Sequence, residues 1–438
     1  MSAQPKAADL VAGPVLPRLL STLGTKPQGD TPSLRVHRQM FSMPPFPGRH
    51  PVESSIAAIE ASGLRGRGGA GFPTGRKLRS VSEGRSRPSV IVNGSEGEPA
   101  SRKDTFLLAR APHMVLDGAL HAAAAIGARE IFVCIERTRL TAIEAIESAI
   151  RERVAAREPM IPITVVDLPA RYVAGEETAL VNFIDNGRAL PMMTPPRPYQ
   201  RGVGGRPTLV DNVETLCHLA QIVQWGPLWF RSQGTADEPG TMLLTVSGAV
   251  TRGGVCEVPI GMPMRSVLQS AEPVGEVGAV LLGGFYGTWV SADDTTWATL
   301  DNAYLRSVGS SLGCGALIVM PRRACGVRET ARVLQWLAGE TAGQCGPCVH
   351  GLASLASGMR ELAAGQADAR TVALLERHAG QIEGRGACSF PDGAVRLLRS
   401  ALRVFRDDVE RHVNHGPCPA AAQPPSLNVP QSRAVASR

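Results

Sequence analysis

The sequence contains the stretch Gly63-Leu-Arg-Gly-Arg-Gly-Gly-Ala-Gly-Phe-Pro-Thr-Gly-Arg-Lys77, in which six glycines fall within thirteen positions. Because glycine has no Cβ, a backbone this rich in glycine can turn its N–H groups toward an anion. The chain has four lysines against forty-two arginines, and Lys77 is one of the four. A lysine kept at this place indicates a point charge for phosphate. A flexible glycine loop without a ligand is the alternative.

The same stretch matches the dinucleotide pattern G-x-G-x-x-G between Gly66 and Gly71. That pattern is weak unless a strand precedes it and a helix follows. The preceding residues 52–61 have apolar side chains at helical spacing, and Pro73 and Gly75 delay the next helix. An ordinary Rossmann turn is therefore not expected.

A second segment reads Ser89-Val-Ile-Val-Asn-Gly-Ser-Glu-Gly-Glu98, a short β-branched run that ends at Asn93. Ligands of α/β folds bind at the carboxyl ends of strands. Asn93 is therefore placed to bond the edge of a heterocycle or a hydroxyl group. An Asn-Gly turn with solvated Glu96 and Glu98 is the alternative.

Two further segments are typical of helix starts. The first is Gly175-Glu-Glu-Thr178, with acids where the helix dipole favours them, and the second is Thr208-Leu-Val-Asp-Asn212. Capping alone explains Glu176, Glu177 and Asn212 without any ligand.

Together the four segments resemble the flavin-binding subunit of NADH dehydrogenases. This is the 51-kDa/NuoF-type subunit of respiratory complex I, with related subunits of soluble hydrogenases and formate dehydrogenases. The resemblance runs from about Gly63 to about Arg411. It implies FMN with NADH stacked on the flavin. The implied FMN contacts or pocket residues are Gly66, Arg67, Gly68, Gly69, Gly71, Lys77, Asn93, Gly175, Glu176, Glu177, Asp211 and Asn212.

On the nicotinamide side the resemblance implies Phe72, Glu96 and Glu98, with Glu96 orienting the donor. Hydride moves directly between stacked rings, so no catalytic acid–base residue is expected. The implied activity is oxidation of NADH or NADPH by FMN, followed by one-electron transfer to an iron–sulfur centre or a ferredoxin-type acceptor.

The chain has nine cysteines, an odd number, and neither a secretory signal pattern nor a long apolar run. We therefore expect a reducing cytoplasm, no membrane insertion, and cysteines that bind metal rather than form disulfides. Cys345-Gly-Pro-Cys348 and Cys388, 39 residues further on, are candidate ligands. An iron–sulfur cluster, zinc, or no metal at all remain open. Cys134 and Cys217 are interpreted as buried hydrophobic residues.

The resembled family has C-x-x-C-x-x-C before its fourth cysteine, but Ala342 stands at the first of these positions. The resemblance then implies a [3Fe–4S] cluster, or a [4Fe–4S] cluster with one non-cysteine ligand. Candidates for that ligand are Thr341, His350, Cys325 or solvent.

Departures also occur on the donor side, where the family has a Lys-Pro-Pro-Phe-Pro run and an aspartate. Here the matching residues are Thr194, Arg197 and Ser95. Arg197 could still stack on adenine or contact a phosphate, and NADPH is possible. Two other functions stay open: a non-catalytic paralogue acting as a binding or electron-wiring subunit, and a ferredoxin-dependent flavoprotein.

The 438-residue chain has a net charge of +7 and a pI of about 9.1. This charge suits an acidic, separate [2Fe–2S] or ferredoxin-type partner in a hetero-oligomer. Nucleic acid is excluded as a partner because aromatic residues make up 4% and do not interleave with a basic run.

The alternation of strand and helix patterns predicts a layered α/β fold. Strands are expected near 90–93, 131–135 and 163–166, and helices near 113–126, 140–154 and 264–270. We expect five regions: an irregular arm at 1–50, an FMN/NAD-binding α/β domain at 51–238, an SLBB-like ubiquitin-like α+β domain at 239–322, a helical iron–sulfur domain at 323–415, and a disordered tail at 416–438.

Overall fold

The fold is taken from a computed structural model that describes residues 18–20, 31–41, 52–84 and 86–431, without the side chains of 52–54. Most of the predicted arm lies outside these residues. Within the described part of the arm, Leu34–Met40 form helix α1, so this part is regular rather than irregular. His37 on α1 binds the carboxylate of Asp117 at 2.6 Å, which ties the helix to the first domain.

The first domain is built on a four-stranded sheet in the order β3-β2-β1-β4, with every neighbouring pair parallel. The strands are β1 Ser89–Gly94, β2 Glu130–Glu136, β3 Ile163–Leu168 and β4 Thr208–Asn212. The helices around it are α2 Val52–Ser62, α3 Thr74–Ser82, α4 Lys103–Arg110, α5 Pro112–Ile126, α6 Leu140–Ala155, α7 Glu177–Asn186, α8 Val213–Trp225 and α9 Pro227–Arg231. Strands covered on both faces read as continuous apolar runs, as in β1. The predicted α/β class is confirmed, and β4 is an addition.

The second region contains a five-stranded mixed sheet in the order β6-β5-β9-β7-β8. Its strands are β5 Thr241–Gly248, β6 Gly254–Pro259, β7 Val277–Leu282, β8 Thr288–Ser291 and β9 Ala316–Pro321. Its helices are α10 Met264–Ala271, α11 Ala292–Trp297 and α12 Asn302–Ser307. The central strand β9 pairs parallel with β5 and antiparallel with β7.

The third region is helical, as its sequence pattern predicts. It comprises α13 Gly326–Gly339, α14 Leu352–Ala363, α15 Ala369–Ile382, α16 Phe390–Val404 and α17 Arg406–His415. Trp289 of β8 lies in the same core, and its indole N–H donates to Thr330 Oγ1 at 2.9 Å. The second sheet and the helices therefore share packing. Among the described helices, none combines the length and hydropathy needed to cross a membrane.

The C-terminal segment differs from the predicted disordered tail. Residues 416–431 run along α13, where the Glu329 carboxylate accepts the backbone N–H groups of Ser426 at 2.9 Å and Leu427 at 3.2 Å. Arg328 donates to the carbonyl of Ala421 at 2.8 Å, and Leu427 is buried. Charged side chains on α13 thus satisfy backbone groups that a Pro- and Ala-rich composition leaves unpaired. Residues 432–438 lie outside the described part of the chain.

Candidate cofactor site

A cavity of about 860 Å³ opens at the carboxyl ends of β1 and β4. These strands are neighbours, with Asn93 opposite Asn212. The strand order reverses here, because β2 and β3 lie on one side of β1 and β4 on the other. Such switch points hold ligands in open α/β sheets. The second sheet and the helical region supply the opposite wall through residues 283–288, 309–314 and 388–390.

Nearly all of the predicted cofactor residues line this cavity. They are Gly66, Gly68, Gly69, Gly71, Phe72, Lys77, Asn93, Glu96, Glu98, Gly175, Glu176, Glu177, Asp211 and Asn212. Arg67 is the exception. Its buried guanidinium donates to the carbonyl of Thr241 at 3.0 Å, and its backbone N–H donates to Thr215 Oγ1 at 2.9 Å. Arg67 therefore anchors the glycine loop to the protein interior, instead of meeting the cofactor as predicted.

The glycine loop forms one wall of the cavity because side chains would not fit there. A Cβ on Gly68 would lie 3.3 Å from Cβ of Asn212, and Gly69 has a φ of +114°. Gly66 N–H donates to the carbonyl of Phe72 at 2.8 Å, which closes the loop on itself. The backbone thus stands open toward the cavity, as the sequence predicts for a loop that holds a ligand.

Lys77 and Asp211 form a charged pair on the cavity wall. Lys77 Nζ lies 3.6 Å from Asp211 Oδ1 and donates to the carbonyl of Val210 at 2.7 Å. Burial raises the pKa of Asp211, although Lys77 opposes the shift. Asp211 Oδ2 is buried and has no hydrogen-bond partner within the described structure. An acceptor of this kind fits a ligand that donates an N–H or hydroxyl group, and FMN carries both.

Glu96 supports the loop after β1. Its φ of +40° lies in the left-handed region, which costs energy for a residue with a side chain. Its carboxylate accepts from Ser101 Oγ at 2.7 Å and from the backbone N–H groups of Asp104 at 2.9 Å and Thr105 at 2.8 Å. Glu96 therefore caps α4. Its predicted role in orienting the donor stays a prediction.

Glu98 joins the first domain to the second. Its carboxylate accepts the backbone N–H groups of Ala100 at 3.1 Å and Phe285 at 3.0 Å, and the Tyr172 hydroxyl lies 3.4 Å away. Burial raises the pKa of Glu98 to about 7, although these hydrogen bonds oppose the shift. The group is therefore close to half protonated at neutral pH, unlike a solvated glutamate.

Sequence reasoning missed a buried ionic network at the cavity floor. Lys103 Nζ lies 2.8 Å from Asp104 Oδ1 and 2.9 Å from Glu214 Oε2. Asn212 donates to Asp104 Oδ2 at 2.7 Å, and Asp104 and Lys103 both line the cavity. Burial raises the pKa of Asp104 to about 6, with Lys103 opposing it. Lys103 is another of the four lysines, so the rarity argument made for Lys77 applied to it as well.

The predicted helix caps are present. Glu176 accepts the backbone N–H groups of Thr178 at 2.9 Å and Ala179 at 3.0 Å, and Asn212 accepts that of Glu214 at 3.0 Å. Glu177 pairs with the exposed Arg197 at 3.3 Å. The side chains of Glu176 and Asn212 therefore both cap a helix and line the cavity.

The cysteines predicted as ligands gather where the helical region meets the cavity. Cys388 lines the cavity, and Cys348 is buried behind it. Burial raises the pKa of Cys348 to about 12, and the neighbouring Cys345 and Cys388 thiols add to the shift. These three Sγ atoms do not all lie within 4.8 Å of one another. That separation is too wide for one zinc ion and suits a larger cluster.

Ala342 lies beside these thiols, because a backbone hydrogen bond from Ala342 reaches the Cys348 sulfur. Cys325, offered as a fourth ligand, is elsewhere: its Sγ lies 3.5 Å from His412 Nε2. That suggestion is wrong for Cys325, and the other candidates are untested. Cys134 and Cys217 are fully buried, as predicted.

An aromatic cluster lies between the cavity and the cysteines. The Tyr172 ring is 5.3 Å from Phe390 and 5.7 Å from Tyr286, measured between ring centroids, and all three residues line the cavity. Phe390 follows Cys388 by two residues. Packed rings at this place keep water away from the space between the cavity and Cys388.

Comparison with protein-family models shows two matches. Residues 59–221 match the Nuo51 FMN-binding domain, and residues 328–412 match the NADH-ubiquinone oxidoreductase-F iron-sulfur binding region. The first contains the glycine loop, β1 and β4, and the second contains Cys345, Cys348 and Cys388.

Two curated relatives are F-type subunits of NADH-quinone oxidoreductases. The one numbered 2 in Rhizobium meliloti is 32% identical over 85% of this chain and 91% of that protein. The one in Streptomyces coelicolor is 33% identical over 83% of this chain and 84% of that protein.

Solved structures of an NAD+-reducing [NiFe]-hydrogenase are also similar. The air-oxidized state gives a TM-score of 0.81 at 32% identity and covers 92% of this chain and 68% of the hydrogenase chain. The H2-reduced state gives 0.77 at 31% identity, and there the match covers 84% of this chain but 63%, under two thirds, of the hydrogenase chain. The chain therefore belongs to the family of NuoF-type subunits of NADH-quinone oxidoreductases, as an FMN-dependent, NADH-oxidising subunit with an iron–sulfur-binding region.

Proposed function

We propose that this subunit takes electrons from NADH at FMN in the cavity and delivers them singly, through a cluster on Cys345, Cys348 and Cys388, to a separate [2Fe–2S] or ferredoxin-type protein. One observation carries the proposal: Cys388 lines the same cavity as the glycine loop. A cluster on Cys388 would therefore adjoin the flavin, with no intervening domain to cross.

The residues of the cavity fit the flavin. The glycine loop offers open backbone, Asp211 Oδ2 offers an unused buried acceptor, and Lys77 offers a positive charge. We assign Lys77 and the glycine loop to the FMN phosphate, and Asn93 and Asp211 to its polar edges. When bound, FMN supplies the conversion of two-electron into one-electron transfer.

The donor side is assigned to Phe72, Glu96 and Glu98. Phe72 is 50% exposed at the cavity, so its ring is free to stack on a nucleotide base. Glu98 is the acid with the more responsive charge state, because its pKa is raised to about 7. Its protonation would then change the charge next to the donor.

The cluster has three cysteine ligands in this assignment. Because alanine at position 342 supplies no thiolate, one iron is held by a weaker ligand or is absent. The proposal is therefore a [3Fe–4S] cluster, or a [4Fe–4S] cluster with one labile iron.

The acceptor is assigned from charge. A net charge of +7 favours an acidic redox protein through electrostatic steering. All nine cysteines lie in the described part of the chain and are free thiols, which suits a reducing cytoplasm.

Replacing Cys388 tests the proposal. In anaerobically prepared Cys388→Ser, NADH should still bleach the flavin absorbance, because the flavin residues are untouched. Reduction of a ferredoxin-type acceptor should fall at least tenfold, roughly the effect of 1.4 kcal/mol or more on the barrier. Cys314→Ser is the matched control, because Cys314 lines the same cavity outside the ligand set.

Equal acceptor reduction by Cys388→Ser and wild type would contradict the proposed route. A colourless wild-type protein after anaerobic purification would instead favour the non-catalytic alternative, which Ala342, Thr194 and Arg197 leave open.

A further inference from the structure

A second group of metal-ligating side chains lies away from the cofactor cavity. One ligand atom each from Cys325, His412 and Cys418 lies within 4.8 Å of the others, and all three residues are buried. They come from three places: Cys325 precedes the first residue of α13, His412 lies in the last turn of α17, and Cys418 lies in the following segment.

The separation of these atoms suits one small ion. Cys325 Sγ lies 3.5 Å from His412 Nε2. In a tetrahedral zinc site with ordinary Zn–S and Zn–N bonds, a sulfur and a nitrogen ligand are about 3.6 Å apart. The Cys345, Cys348 and Cys388 set is wider, so the two groups of cysteines suit different metals.

The hydrogen bonds of His412 show which ring nitrogen could bind. Its Nδ1 lies 3.0 Å from the carbonyl oxygen of Leu362, which can only accept, so Nδ1 carries the proton. The backbone N–H of Cys418 donates to Nε2 at 3.2 Å, so Nε2 carries a lone pair. Metal-binding histidines are typically oriented by such a bond from the other nitrogen to a carbonyl.

Cys325 is prepared as a thiolate ligand by its position. It is the N-cap of α13, and its Sγ accepts the backbone N–H of Arg328 at 3.4 Å. A helix N-terminus stabilises negative charge on sulfur.

We propose that Cys325, His412 and Cys418 bind a single zinc ion, separate from the iron–sulfur cluster. Binding would exchange the weak Cys418 N–H bond to His412 for coordination, with a solvent molecule in the fourth position. The ion would fasten residues 416–431 and the end of α17 to the start of α13. Its role is structural, and it stands independently of the proposed electron route.

The test is metal analysis of the intact holoprotein, with zinc and iron counted separately. Wild type should carry about one zinc ion per chain, and Cys418→Ser and His412→Asn should each lose at least about four fifths of it with iron unchanged. Cys256→Ser, a buried thiol on β6, is the matched control and should keep its zinc. The combined Cys345→Ser, Cys348→Ser and Cys388→Ser variant should lose iron and keep zinc.

Wild type alone also decides the matter, whether or not the variants fold. Growth with cobalt should give thiolate-to-cobalt charge-transfer absorption in the near ultraviolet. Zinc below about 0.2 per chain together with no such band would overturn the proposal, as would a Cys325–Cys418 disulfide found in the native protein. Undiminished zinc in a variant lacking both Cys325 and Cys418 thiols would overturn it too.

Discussion

At the scale of single residues, Glu98 is the group whose charge responds most directly to pH. It is buried where the loop after β1 meets residues 284–286, and a Cβ on Gly284 would lie 2.4 Å from its carboxylate carbon. There is consequently no room for water around the charged form. The folded protein therefore binds the proton of Glu98 more tightly than the unfolded chain does.

The first prediction follows from this raised pKa. A raised pKa contributes stability that is present below about pH 4.5 and is lost as pH rises through about 7. Between pH 4.5 and 8 the unfolding free energy of wild type should fall, relative to Glu98→Gln, by about 3 kcal/mol. Urea unfolding midpoints of the holoprotein at several pH values measure this, with the exposed Glu147→Gln as control. Parallel pH curves for wild type and Glu98→Gln would contradict it.

The second prediction concerns Lys77. A charge-assisted bond to phosphate contributes about 1.5–3 kcal/mol, so Lys77→Ala should weaken FMN binding about tenfold or more. FMN affinity after deflavination and titration measures the effect, and Arg76→Ala, exposed on the same helix, is the control.

Because Lys77 also neutralises Asp211, a double variant separates the two roles. If Lys77 binds the phosphate, Lys77→Ala with Asp211→Asn should stay as weak as the single variant. Recovery of wild-type affinity in the double variant would show that Lys77 serves Asp211 alone.

At the scale of elements, the turn before α7 presses closely on the loop after β1. A Cβ on Gly175 would lie 2.1 Å from Ser95 Oγ and 3.3 Å from Ser95 Cβ. The carbonyl of Gly175 also accepts from Asn93 Nδ2 at 2.9 Å. The two segments that line the cavity are thus positioned by each other.

The third prediction uses this contact. Gly175→Ala should push the loops apart and reduce FMN occupancy several-fold, with a stability loss of about 1–3 kcal/mol from overpacking. Adding Ser95→Ala removes the hydroxyl and leaves a close but ordinary contact, so the double variant should regain much of both. Flavin content and urea midpoints test this. A double variant no better than Gly175→Ala would show that the Ser95 contact is not the cause.

Regular elements of the first domain could be predicted from sequence because their patterns are strong. The expected strand at 131–135 and helix at 113–126 match Glu130–Glu136 and Pro112–Ile126. Strand β4 was missed because its five residues run directly into the cap of α8, which dominated the pattern. The ordered C-terminal segment was missed because its partners, Arg328 and Glu329, lie about a hundred residues away.

At the scale of the whole molecule, the cofactor cavity is assembled from all three regions. The sequence predicted the face contributed by the first domain and the cysteine set of the helical region. The wall from the second sheet, including Gly283 and Ser310, carries no motif of its own. Such a wall follows from tertiary packing, which no local pattern encodes.

The fourth prediction concerns the missing thiolate. An iron without a cysteine ligand should be labile, so the wild-type cluster should be oxygen-sensitive and isolate readily in a three-iron form with an oxidised-state EPR signal. Ala342→Cys should give a stable four-iron cluster with a signal on reduction, because residue 342 adjoins the Cys348 sulfur. Iron analysis and EPR of both proteins after air exposure measure this. Equal iron loss from both would contradict the ligand assignment.

The most direct test of the electron route is a low-temperature EPR experiment on the anaerobically reconstituted holoprotein before and after NADH. The account predicts that NADH bleaches the flavin and changes the cluster signal in the same sample, and that Cys388→Ser abolishes the signal change but not the bleaching. Fewer than about two irons per chain, or a bleached flavin beside an unchanged cluster signal, would contradict the account.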